Sequence, residues 1–160
     1  MSRYSVESFV RIEESFVSLS QLDGVLPDAD YIEGMIELQI AASKILSERH
    51  WDLIDQLWEY LVDGVSDLIF RETDLDCYFP DQPLRLSLRS TSQTQIEVSI
   101  GSDAYRVDKS CFAAAIGNGG KFFFTKMLQL VPSGEPTWRT YLERCESLIA
   151  ATGDARASAH

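Results

Sequence analysis

Asp52, Asp55, Glu59, Asp63 and Asp67 recur at steps of three, four, four and four residues. On an α-helix that spacing lines five carboxylates along one stripe. The chemistry it offers is electrostatic: a negative surface shaped for a positively charged partner. Like charges four residues apart cost roughly 0.2–0.5 kcal/mol each in an isolated helix. A merely solvated face usually intersperses lysines to avoid that cost, and none is interspersed here. Trp51, Trp58 and Tyr60 flank the stripe and could supply desolvated aromatic anchors. The acidity is also regional. Glu48 to Asp81 holds ten acids and two arginines, whereas residues 82–160 hold seven acids and nine bases.

Catalytic chemistry has less to work with. His50 and His160 are the only histidines. His50, read as a solvent-exposed imidazole at a helix start, has no GxSxG elbow or neighbouring cysteine to serve as base. No catalytic residue is assigned. Glu72, Asp74 and Asp76 alternate like the first ligands of a calcium loop, but the glycine at the sixth position and the acid at the twelfth are missing. Gly117-Asn118-Gly119-Gly120 is glycine-rich, yet Lys121 is not followed by Ser or Thr and no strand precedes it, so a close helix crossing or a break fits better than a P-loop. No metal and no cofactor is expected.

Composition narrows the class further. A chain of 160 residues with 45% hydrophobic content holds one ordinary core, and 11% aromatics argue against disorder. A pI near 4.5 disfavours nucleic-acid binding, which needs lysine and arginine at phosphates. Cys77, Cys111 and Cys145 lack CxxC spacing and read as reduced thiols. Met1 to Leu19 has no apolar signal core, and no apolar run approaches the roughly 18 residues of a membrane span. The expected compartment is the cytoplasm, with no membrane partner.

The elements that must hold the stripe follow from periodicity. Val6, Phe9, Ile12, Phe16 and Leu19 fit a helix face, although Val10, Ile12 and Phe16 also share a strand face; a helix is expected. Residues 31–46 alternate as one long strand through Ile36, Leu38 and Ile40. Ser47 or His50 should cap a helix over 51–70 whose apolar face is Ile54, Leu57, Trp58, Leu61, Val65, Leu68 and Ile69. Residues 71–83 read as a loop. Strands at 83–90, 94–101 and 103–108 should place Leu86, Leu88, Ile96, Val98 and Ile100 inward, with Arg85 and Arg89 facing Glu97. Asp108 or Ser110 caps a second helix, and a third should span 137–151 and end at Gly153. Phe122, Phe123 and Phe124 cover most of a helix circumference, so one of them must leave the core. These elements predict a single α+β domain over residues 1–152, with a flexible tail over 153–160. Its antiparallel sheet should have about four strands, 31–46 included, with helices on one face.

At YIEGMIEL (Tyr31 to Leu38) and YFPDQPLRLSL (Tyr78 to Leu88) the chain resembles small bacterial proteins that often occur as immunity proteins of polymorphic-toxin and contact-dependent inhibition systems. The likeness covers roughly residues 31–130 and its motifs are structural. It implies a cytosolic, non-enzymatic protein that binds and neutralises a toxin domain. An acidic helix suits that class, since toxins that cut nucleic acid have cationic clefts. An acidic secretion chaperone or adaptor, often a homodimer, is the alternative. It would need a groove for an extended peptide, at Phe122 to Phe124 or at a free sheet edge.

Overall fold

Alternation, not helical period, governs the first residues of the chain. A computed structural model describes residues 3–24, 26, 28–132 and 136–158, with side chains as far as Gly153. Tyr4–Ile12 is strand β1 and Ser15–Ser18 is strand β2. The helix expected there is a hairpin, turned at Glu13 with a positive φ of 58°. Its stability comes from a long-range ladder, Tyr4↔Ile40 to Val10↔Gly34, against strand β3 (Glu33–Ile40).

The expected long strand over 31–46 is a second hairpin. Strand β3 folds back at Ala41, whose φ is 53°, into β4 (Ser43–Leu46). A two-residue strand β5 (Asp52–Leu53) pairs with the other end of β3, at Glu33↔Leu53 and Gly34↔Asp52. The first sheet therefore runs β2-β1-β3-β4, with β5 beside β3.

Helix α1 is Ile54–Phe70 and buries Ile54, Leu57, Trp58, Leu61, Val62, Val65 and Leu68, close to the expected face. Neither Ser47 nor His50 caps it; Leu53 stands at the cap with no side-chain hydrogen bond. Gly64 is buried on this helix because a Cβ there would lie 2.5 Å from a Leu75 methyl and 3.1 Å from one of Leu88. That contact brings α1 onto the second sheet and offsets the roughly 1 kcal/mol a helical glycine costs.

Strands β6 (Leu75–Tyr78), β7 (Arg85–Ser90), β8 (Gln95–Ile100) and β9 (Asp103–Asp108) make that second sheet, an antiparallel meander. Leu86, Leu88, Ile96, Val98 and Ile100 are buried as the alternation requires. Arg89 lies opposite Glu97 and donates to it at 2.9 Å. Strand β6 occupies part of the expected loop, and its Asp76 takes Arg85 in a two-pronged contact, so Arg85 does not face Glu97. The single sheet expected to include 31–46 is thus two sheets. One continuous hydrophobic cluster takes in side chains of both, which keeps the chain a single α+β domain.

Helix α2 (Lys109–Leu130) starts at Asp108, whose carboxylate accepts the Cys111 N–H at 2.8 Å. The glycine run lies inside this unbroken helix and is a crossing point. A Cβ on Gly119 would stand 2.6 Å from Trp58 and 2.8 Å from Val6, and one on Gly120 would stand 2.6 Å from the Cys145 sulfur. Helix α3 is Pro136–Ser158 and continues past Gly153, the expected stop. The last two residues of the expected tail, Ala159 and His160, lie outside the described residues. Among the described residues no helix is long and apolar enough to cross a membrane.

Candidate protein-binding face

Of the five carboxylates expected in one stripe, Asp52 precedes the helix and is buried, whereas Asp55, Glu59, Asp63 and Asp67 lie partly exposed along α1. Phe70 is exposed and the side chains of Asp63 and Asp67 are 40% and 41% exposed, while the rest of the helix lies against both sheets and both other helices. Asp55, Glu59 and Tyr60 are half-buried along it. Asp63 accepts the Tyr141 hydroxyl at 2.6 Å and pairs with Arg144, whose guanidinium also sits 4.9 Å from the Tyr141 ring centre. Burial, then the bond to Asp63, holds the Tyr141 hydroxyl above its ordinary pKa. Asp63 is therefore a latch between α1 and α3. Asp67 lies 4.0 Å from Arg71, and with Asp63, Phe70 and Arg144 it borders a cavity of about 500 Å³ of mixed charge. Trp58 is fully buried, and its indole N–H donates to Ser8 Oγ at 2.9 Å, so it anchors the core and no partner.

Asp52 departs furthest from its expected role. It precedes the helix, is 3% exposed, and its carboxylate accepts three backbone N–H groups: Leu53 at 2.6 Å, Asp81 at 3.0 and 3.3 Å, and Gln82 at 3.0 Å. The Gln82 side chain in turn donates to the Trp51 carbonyl. Because Asp52 also pairs with Gly34, it joins the two segments quoted above, YIEGMIEL and YFPDQPLRLSL.

His50 is buried, not solvent-exposed. It closes a 3₁₀ turn, Glu48–His50, in which Nδ1 accepts the Ser47 N–H at 3.1 Å, and its ring lies 6.3 Å from that of Phe79. Burial, followed by the Arg49 charge, lowers its pKa. A depressed folded-state pKa means that His50 favours folding above about pH 6.5 and that this contribution is lost as pH falls through the folded pKa. A proton on Nδ1 also removes the acceptor for Ser47. Titration followed by NMR should place His50 below 6.5; a value at or above 6.5 would contradict a buried acceptor role.

Around Trp51 the structure assembles a face that helical periodicity did not indicate. Trp51 is half-buried, meets Phe16 edge-on at 6.4 Å, and carries the Arg11 guanidinium 4.7 Å from its ring. Arg11 is 3.6 Å from Glu33. Beside them Tyr31 is 49% exposed, and its hydroxyl pKa is raised first by Asp81, then by burial, Glu33 and Asp52. A shallow hollow of about 210 Å³ next to it is lined by Glu13, Asp28 and Glu33, by Arg11, and by the buried Leu26 and Ile32. Tyr31 and Asp81 were available in the sequence as members of the two quoted segments; what was missing was their juxtaposition through Asp52.

The three cysteines are free thiols, and burial pushes Cys145 up to about 12. Among the described residues no three His, Cys, Asp or Glu side chains gather as a metal ion would need. Asp74 of the alternating acids accepts the Ser90 N–H at 3.3 Å instead. Comparison with protein-family models, with curated proteins and with solved structures finds no match.

Proposed function

We propose that this chain is a non-enzymatic, cytoplasmic protein-binding module of the immunity type, which neutralises a toxin by covering its basic surface. The observation that carries the reading is the Tyr31 face. An exposed aromatic ring flanked by Asp81 and Glu33, beside a hollow edged by Glu13 and Asp28, offers an apolar anchor inside a rim of carboxylates whose one cation, Arg11, is paired with Glu33. That combination suits a cationic cleft, such as that of a nuclease, where carboxylates stand in for phosphates. The docking surface moves from the α1 stripe to this face; of the stripe's flanking aromatics only Trp51 adjoins it. The alternative, an adaptor for an effector peptide, draws support from the exposed ring of Phe122.

Co-expression with the product of an adjacent toxin gene should give a stable complex. Reversal of Asp28 and Asp81 to Lys should then slow association about tenfold or more at low salt, with the defect shrinking as ionic strength rises. Stopped-flow association at two salt concentrations measures this, with Asp67→Lys at the far end of α1 as the comparison. Equal rates for the double variant and the wild type at low salt would remove the Tyr31 face from the site.

A further inference from the structure

Tyr78, at the end of β6, is 62% exposed, more than any other large hydrophobic side chain among the described residues. Strand β6 is an edge of the second sheet. β7 lies along one side of it, and α1 packs on its inner face, where Leu75 meets Gly64. The remaining side is open. Asp76 is exposed like Tyr78, and even the inward-facing Leu75 and Cys77 are only half-buried.

The backbone alternation along this edge is fixed from both ends. The Phe79 N–H donates to the Leu84 carbonyl at 2.8 Å, so the odd-numbered residues of β6 bond to β7. On β7 the Arg85 carbonyl accepts the Gly101 N–H at 2.9 Å, so its odd-numbered residues face β8 and its even-numbered ones face β6. The N–H and C=O groups of Asp76 and Tyr78 therefore point away from the sheet, and they have no hydrogen-bond partner among the described residues. A charge on a short edge strand ordinarily keeps other strands away. Here the Asp76 carboxylate is taken up by Arg85, whose Nε donates to it at 2.7 Å, so this pair leaves no net charge on the edge.

We propose that a second copy of this chain pairs at this edge, β6 against β6, antiparallel about a two-fold axis at Cys77. Asp76 then stands opposite Tyr78 of the second copy, and Tyr78 opposite its Asp76. Each of these pairs exchanges two main-chain bonds, and one sheet runs through both copies. The residues themselves select this register. An axis at Asp76 would set two carboxylates face to face, and an axis at Tyr78 would set Asp76 opposite Pro80, which has no N–H. With the axis at Cys77, every outward N–H and C=O of β6 is satisfied and no like charges are opposed. The edge is thus complementary to itself. So short a ladder makes a weak dimer, in the micromolar range. This surface does not rest on the immunity reading.

Sedimentation velocity over a concentration series, in reducing buffer, tests it. A monomer–dimer equilibrium is expected, and hydrogen exchange of the Asp76 and Tyr78 amides should slow as the dimer fills. Tyr78→Pro removes an outward N–H that the monomer does not use and should weaken association at least about tenfold. Asp76→Lys, which sets a second cation beside Arg85 at the seam, should do the same at low salt and less at high salt. Thermal melts of both variants check that the monomer stays folded. The two Cys77 residues would face each other across the axis at a Cα distance of about 4.5 Å, within the span of a disulfide. Mild oxidation with diamide should therefore link the copies, and Cys77→Ser should abolish the link, since Cys111 and Cys145 are buried. A monomer at every concentration up to millimolar would overturn the proposal. So would a dimer that tolerates both variants, leaves those amides unprotected, or gives no Cys77 link.

Discussion

Gly34→Ala is expected to destabilise the chain by about 3 kcal/mol, at the upper end of ordinary overpacking. A Cβ there would stand 2.2 Å from the Phe9 carbonyl oxygen and 3.1 Å from two atoms of Ile54. The first obstacle is backbone, held by the ladder that aligns β1 with β3 from Tyr4↔Ile40 onward. The second is the first residue of α1. Neither is the far end of a flexible side chain, so a strand or the helix start must shift. Gly153→Ala supplies the contrast: nothing lies within 4 Å of a Cβ there, within α3, so that change should be neutral or stabilise by up to about 1 kcal/mol. Urea unfolding midpoints measure both. A loss below about 1 kcal/mol for Gly34→Ala would mean that β1 and α1 do not both close on this position.

How much of the fold can be read in advance depends on whether turns announce themselves. The β7–β8–β9 meander was legible because polar and glycine-containing turns separate runs of strict alternation, and Leu86, Leu88, Ile96, Val98 and Ile100 all went where the period of two sends them. The first hairpin was not. It turns at Glu13 and the second at Ala41, residues that rarely adopt positive φ and give no turn signal. Without that signal Val6, Phe9 and Ile12 satisfy a helical period, and 31–46 reads as one strand. Strand β6 had a trace of its own, Leu75 and Cys77 half-buried against exposed Asp76 and Tyr78, but four residues before two prolines read as loop.

The acidic positions show a different limit. Their spacing was helical from Asp55 onward, as expected. A helical wheel, however, carries no information about Tyr141 and Arg144, which close on Asp63 from 78 and 81 residues away. Nor could it place Asp52 in a strand before the helix. Charge counts locate acidity along the chain; long-range pairing decides which carboxylates face solvent.

Asp52→Ala is the substitution that separates these accounts most sharply. Three N–H groups would lose their acceptor at a position that is 3% exposed. Buried donors left unsatisfied cost about 1–3 kcal/mol each. Since Asp81 is exposed and Gln82 half-buried, water can recover part of that, and a net loss of about 2–4 kcal/mol is expected. Asp52→Asn should recover only a part, because the amide nitrogen turns a donor toward donors. The effect also reaches the proposed binding face, for Asp52 fixes the loop that carries Asp81. Removing one carboxylate and releasing the other should let the Tyr31 hydroxyl titrate closer to its ordinary value, since Asp81 is the largest cause of its raised pKa and Asp52 a further one. Denaturation and tyrosine titration of the same variant therefore test the clamp and its connection to the face together. Wild-type stability with an unchanged Tyr31 pKa would return Asp52 to a solvent-facing stripe and dismiss the clamp.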